Sequence, residues 1–428
     1  MLAITGATLL DAARAAPVER GVVWIGPDGR IRAAGPADEA RIPEGTSTLD
    51  GSGLTLLPGL IDGHAHLAWD KTLYSSLSVP EYQARVRTRD PERELVRAAH
   101  HAQLALAAGV TTVRDCGADD FLVLALRDAV RAGEFAGPRI LASGRPITTT
   151  AGHVYSGWGV DSAAEMRKAV RTLAVRGVDF VKLIVSGGTT TPGTNITRAQ
   201  YTLEEVRAAA EEAHRLGLTV AAHAISTDSI LLAAEAGVDT IEHCSWIGAD
   251  PRTTVTDEAA VDHMLANGVR VDHAIIPRPY QFPGECPGAP NAEEQWWLRM
   301  LEVRWPFLHH MRERGVPVFL GTDAAFGPWP GTPYWPGFED MARALEVMVR
   351  QAGFTPREAL AMATSDAARA LGLEAEIGTL QPGRRADLIL VSGDPARDIR
   401  ALRRVEMVFR DGRLVARRGH IVLPGGTA

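Results

Sequence analysis

Between residues 58 and 373 the chain repeats one unit: a short, mostly apolar run, a helical stretch, and another apolar run. Eight such runs follow in order: TLLPGLIDGHAH, GVTTVRDCG, PRILASG, VDFVKLIVSGG, LTVAAHA, VDTIEHC, VRVDHAII and PVFLGTDA. Helical patterns such as RELVRAAHHAQLALAAG and LEEVRAAAEEAHRLG end in glycine just before the next run, as a helix C-terminus should. Strand and helix alternating through eight units predicts an α/β protein, a (β/α)8 TIM barrel. A doubly wound open sheet would alternate in the same way, but no GxGxxG or P-loop follows any of the strands.

The two ends have another texture. Short β-forming runs bounded by Gly, Pro and Asp fill residues 1–57 and return in residues 374–428, which predicts one composite β domain beside a barrel at 58–373. With 46% hydrophobic and 23% charged residues the chain can bury a large core. A net charge of -7, from 45 basic and 52 acidic residues interspersed, offers no polycation, so neither nucleic acid nor a membrane surface is an expected partner. Cys116, Cys244 and Cys286 form no CxxC pair and are too scattered for a disulfide framework, which points to a reducing cytoplasm. Gly and Asp interrupt the opening apolar stretch before the first basic residue, Arg14, so no signal peptide or transmembrane helix is expected.

Chemistry-bearing side chains gather at the strand ends. His64 and His66 close the first strand, Lys182 lies in the fourth, His223 ends the fifth, His243 the sixth and Asp323 the eighth. A barrel builds its active site at the C-terminal ends of its strands. Because side chains alternate along a strand, His-Ala-His turns both imidazoles to one side as a two-nitrogen clamp for a metal. Alone, that spacing also suits surface or core histidines; the repetition across strands gives it weight. Lys182 sits among Val181, Leu183 and Ile184, where a free ammonium is costly to bury. It is either paired with a carboxylate in a polar barrel mouth or carboxylated by CO2 into an anion able to bridge two metal ions. Asp323 can be a ligand, a base, or a hydrogen-bonding cap at the mouth. His100, His101, His214, His263, His309 and His310 fall in helical patterns, His420 in the tail, and His273 at the end of the seventh strand. His153, in the loop RPITTTAGHVYSG after the third strand, is a better prospect for the site.

The combination LLPGLIDGHAHL, GVDTIEHC, LGTDA and IGTLQPGRRADLILV resembles the amidohydrolase superfamily over nearly the whole chain. The strand-four lysine, the SGGTTTPG after it and the GRPITTTAGH loop look like its binuclear prolidase-like and imidazolonepropionase-related group, which includes ochratoxin-type amidases. The resemblance implies a barrel with a small β-sandwich from both termini. It also implies that His64, His66 and Asp323 hold one divalent ion and His223 and His243 a second, zinc being expected. Lys182 would be the carboxylated bridge, shared with a hydroxide that attacks an amide carbonyl. Asp323 would shuttle the proton, and His153 would position or polarise the substrate carbonyl. Arg145 lies in the same loop motif.

One departure stands out: where relatives often have Tyr or His two residues after the strand-five ligand, this chain has Ile225. An apolar side chain cannot bind a carboxylate, so Arg145, Tyr155 or Arg278 takes that role or the leaving group carries none there. Loops rich in Pro, Gly and aromatic residues, 277–297 and the stretch after Asp323, would cover the mouth, with Trp329, Tyr334 and Trp335 either lining an aromatic pocket or packing as a satellite core. The expected function is hydrolysis of a peptide-like, N-acyl amino acid or aryl amide, by a homo-oligomer acting on small molecules. The alternatives are a one-metal deaminase, a lactone, ester or carbamate hydrolase on the same barrel, and a non-catalytic scaffold.

Overall fold

In the computed structural model, which describes residues 1–69, 77–275, 277, 279–282, 289–290, 292–325 and 337–422, the apolar runs of the middle of the chain form parallel strands. The N-terminal strands come first: β1 (Leu2–Leu9), β2 (Val18–Ile25), β3 (Ile31–Pro36), β4 (Ser47–Asp50) and β5 (Leu54–Pro58). Three parallel strands then pair in order, β6 (Leu60–Ala65), β7 (Val110–Asp115) and β8 (Arg139–Ala142). Five more pair in order, β9 (Val181–Ile184), β10 (Val220–Ser226), β11 (Thr240–Ile247), β12 (Arg270–Asp272) and β13 (Val318–Phe319). Isolated parallel bridges, Ile147 with Leu183 and Ala65 with Ala324, join these two sheets at both edges.

The intervening helices start and stop where local chemistry dictates. Thr202 caps the helix Leu203–Arg215 by accepting the Glu205 N–H, while the Glu205 carboxylate takes the Thr202 N–H in return. The helix Thr227–Ala236 ends on Gly237 at φ +78°, a conformation that costs a glycine little. One helix begins earlier than its sequence suggests. Ala292–Arg314 starts inside the stretch expected to be a loop, because Glu, Gln, Leu, Arg and Met after Pro290 favour helix once the proline run has ended.

The last strands, β14 (Leu388–Ser392), β15 (Val405–Arg410), β16 (Arg413–Arg417) and β17 (His420–Ile421), join the N-terminal strands in one mixed sheet of nine. In that sheet β14 lies antiparallel to β5, and β5 lies parallel to β1. β14 is buried on both faces: Leu388 and Leu390 pack in a small core with Ile4, Ile25, Ile31 and Phe409, and Ile389 and Val391 pack in the large central core. Period-two alternation thus ties the two ends of the chain to its middle. Among the described residues no helix is long and apolar enough to cross a membrane.

β13 is only two residues long because the chain must then pass tightly against β6. A Cβ at Gly321 would lie 2.4 Å from the His64 Cβ, so only glycine permits this approach. The Asp323 N–H then donates to the His64 carbonyl at 2.7 Å, which places Asp323 beside the first-strand histidines.

Candidate active site

His64 is fully buried in β6 and His66 lies one residue beyond its end, with ring centroids 5.3 Å apart. His243 from β11 stands 5.0 Å from the His64 ring and 4.6 Å from the His223 ring of β10. Asp323 Oδ1 is 3.3 Å from His66 Nε2 and 3.6 Å from His64 Nε2. The Lys182 ammonium, 1% exposed, lies 3.3 Å from His64 Nε2. The six expected ligands therefore come together, although His223 and His243 stand within their strands and not at the ends. His243 and Asp323 adopt left-handed backbone, at φ +69° and +50°, a strain characteristic of functional positions.

Three rings each have one nitrogen anchored. His64 Nδ1 contacts the Asp272 carboxylate at 2.8 Å, His66 Nδ1 the Gly117 carbonyl at 2.8 Å, and His223 Nε2 the Gly187 carbonyl at 3.1 Å. A carbonyl accepts only, so at Gly117 and Gly187 the ring nitrogen carries the proton and its partner nitrogen keeps a lone pair. Burial pushes His64 down to about 3 and His223 well below the usual histidine range, so both imidazoles stay neutral at physiological pH. Neutral nitrogens and a carboxylate oxygen, with the ligand atoms of His64, His66 and Asp323 all within 4.8 Å of one another, make a donor set that suits a divalent cation.

Beneath the histidines lies a buried ionic layer. Arg114 donates to the Glu242 carboxylate at 2.7 Å, to Thr240 Oγ at 3.1 Å and to the Gly63 carbonyl at 2.5 Å, between the Phe180 and Phe319 rings. Burial would raise the Glu242 carboxyl, but Arg114 and Lys182 hold it well below the carboxylate range. Asp272 is pushed well above that range by burial and by the charge of Glu242. Both carboxyl groups face His64 Nδ1, at 3.2 Å for Glu242 and 2.8 Å for Asp272. Asp62 ties the layer to the eighth strand by accepting the Thr322 hydroxyl at 2.6 Å and the Thr322 N–H at 3.0 Å.

Asp272→Ala is expected to weaken metal retention about 10- to 100-fold, measured by competition with a chelator. Unchanged retention would separate Asp272 from the site. Arg114→Ala leaves Glu242 buried without its cation and is expected to cost about 3–5 kcal/mol of stability in urea unfolding. A loss below about 1 kcal/mol would show that the pair contributes little.

Arg114, Glu242 and Asp272 escaped sequence reasoning, as did Asp62. Their signal was position: Asp62 and Glu242 flank the histidines in IDGHAH and IEHC, and Asp272 stands in VDHA. The other expected site residues have different fates. The His153 ring is 4.8 Å from His223. The Arg145 guanidinium donates to the Ser156 carbonyl at 2.7 Å and lies over the Trp158 ring, so its own loop engages it. Tyr155, in the same loop, is half-buried. Ile225 is buried against Ile247 and Met300. His273 is buried edge-on to Trp305. Arg278, Trp329, Tyr334 and Trp335 lie outside the described residues.

Buried imidazoles and carboxyl groups brought together by parallel strands form a donor set suited to metal-assisted chemistry. The chain belongs to the amidohydrolase family, whose model matches residues 55–415, and it is an enzyme of the class that hydrolyses carbon–nitrogen bonds. It is 28% identical to the ochratoxinase of Aspergillus niger over 394 residues, covering 84% of this chain and 75% of that one. It is 29% identical to the imidazolonepropionase of Rhizorhabdus wittichii over 415 residues, covering 87% and 88% of the two chains. Among solved structures, a Xaa-Pro dipeptidase with bound methionine in its active site superposes with a TM-score of 0.80 at 27% identity, over 96% of this chain and 99% of that one. These neighbours share a TIM-barrel-containing α/β fold.

Proposed function

We propose that the chain is a binuclear metal-dependent amidohydrolase that cleaves the amide bond of an N-acyl amino acid, a peptide-like substrate or an aryl amide. The observation that carries this reading is the convergence of four histidines, a buried lysine and an aspartate, three of the rings with one nitrogen anchored. His64 and His66 with Asp323 would hold one divalent ion, His223 and His243 a second, and Lys182, carboxylated by CO2, would serve both. Zinc suits such nitrogen and oxygen donors. When bound, two such ions would supply a hydroxide near neutral pH and Lewis acidity toward the carbonyl.

This chain's residues would do the rest. Asp323 would take the proton at its carboxylate and return it to the leaving nitrogen. His153 would donate a hydrogen bond to the oxygen that gains charge. The ionic layer of Arg114, Glu242 and Asp272 would hold His64 in place. We also propose that the eight parallel strands close into one barrel over residues 58–373, which the bridges at both sheet edges support, with the nine-stranded sheet as a separate domain.

Ochratoxinase and a Xaa-Pro dipeptidase among the relatives favour an amide substrate over an ester. Ile225, packed with Ile247 and Met300, favours a leaving group without a carboxylate at that wall. The test is to assay protein reconstituted with zinc and bicarbonate on N-acyl amino acids, dipeptides and aryl amides. Turnover is expected, with aryl amides ahead of dipeptides. No turnover of any of the three classes would overturn the reading.

A further inference from the structure

The SGGTTTPG loop that follows β9 gives its Gly187 carbonyl to His223, and one of its threonines lies against His153. Thr191 is buried, and its Oγ lies 2.9 Å from His153 Nδ1 and 2.9 Å from the Val154 nitrogen. A hydroxyl has one proton to give and two lone pairs to fill. The Val154 N–H can only donate, so it fills one. Of these two partners only His153 Nδ1 can accept the buried hydroxyl proton. The Thr191 proton then goes to His153 Nδ1, which must be the bare nitrogen.

We propose that Thr191 is a positioning residue that holds His153 as its Nε2–H tautomer, ready to donate a hydrogen bond to the substrate oxyanion. The proposal rests on the hydrolase reading above for the oxyanion, though not for the tautomer. Three further observations support it. Val154 is a β-branched residue at φ +52°, a conformation it avoids unless held, and its N–H is the one that Thr191 accepts. A Cβ on Gly188, three residues before Thr191, would lie 2.2, 2.4 and 2.5 Å from the ring atoms Nε2, Cε1 and Cδ2. Such similar distances to three consecutive atoms put that position over the ring face, so the loop supports the imidazole from one side and leaves its edge clear of the loop backbone. The His153 backbone is fixed as well, since its carbonyl accepts from Thr148 Oγ at 2.8 Å.

The test uses full-length protein reconstituted with zinc and bicarbonate and labelled with 15N in histidine, the His153 signals being assigned with His153→Asn. Long-range 1H–15N spectra of the wild type are expected to show Nε2 protonated and Nδ1 bare. Thr191→Val should lose that signature, and Thr191→Ser should keep it. On whichever N-acyl p-nitroanilide the wild type turns over, Thr191→Val should lower kcat about 10-fold or more with KM and zinc content unchanged, and Thr191→Ser should restore it. Wild-type protein protonated on Nδ1, or a Val variant with an unaltered tautomer, would overturn the proposal. So would equal kcat losses in the Val and Ser variants. If the Val variant does not fold, Thr191→Ala takes its place: loss of the Nε2–H signature supports the proposal, and an unchanged one overturns it. Absence of turnover by the wild type would overturn the hydrolase reading instead, and the spectra would still decide the tautomer.

Discussion

Asp323→Asn is expected to lower turnover by about 10²- to 10⁴-fold while leaving the protein folded, the range lost when a positioned acid or base is removed. Two features make this substitution clean. Asp323 stands at φ +50°, a conformation that asparagine tolerates as well as aspartate, and its backbone N–H is held by the His64 carbonyl whatever the side chain. The amide keeps the volume of the acid but cannot take a proton from the attacking water, and it is a poorer ligand. Thermal unfolding should therefore stay within a few degrees of wild type as hydrolysis is lost. A variant that kept more than about a tenth of its turnover would remove Asp323 from the proton path.

Lys182→Ala is expected to lose bound metal and activity together. The side chain is 1% exposed, lies 3.3 Å from His64 Nε2, and shares its surroundings with the charged Glu242. If Lys182 served only as a buried counter-ion, Lys182→Met would keep the volume, Arg114 would still neutralise Glu242, and metal content would hold. If it is a carboxylated ligand, both variants lose about half or more of the metal, and the wild type needs bicarbonate for full reconstitution. The cavity left by alanine offers a sharper control: a short carboxylic acid such as acetate would bring two oxygens to the same place and should restore part of the rate. Full metal content in both variants, with no effect of bicarbonate, would contradict the bridge.

Much of this clustering was legible in the sequence because strand–helix repeats set parallel strands side by side. His64, His66, Lys182, His223, His243 and Asp323 each fall in or after an apolar run, and parallel strands bring such positions together however far apart they are in the chain. The ionic layer below them was not legible. Arg114, Glu242 and Asp272 look like ordinary strand residues until β7, β11 and β12 are side by side, because a buried charge is recognised only by its partner. Thr191 was hidden for a similar reason: its role depends on His153, distant in the chain. The helix Ala292–Arg314 was missed because proline and glycine upstream obscured the helix formers that follow. Arg145, in the same loop as His153, donates to Ser156 and lies over Trp158, contacts the sequence does not reveal.

The central claim is that this donor set holds two metal ions. Elemental analysis of protein purified without chelator, in buffer containing bicarbonate, tests it most directly. The account predicts close to two zinc-like ions per chain. One ion would contradict the binuclear site and favour single-metal deaminase chemistry, and none after reconstitution would leave the chain a scaffold.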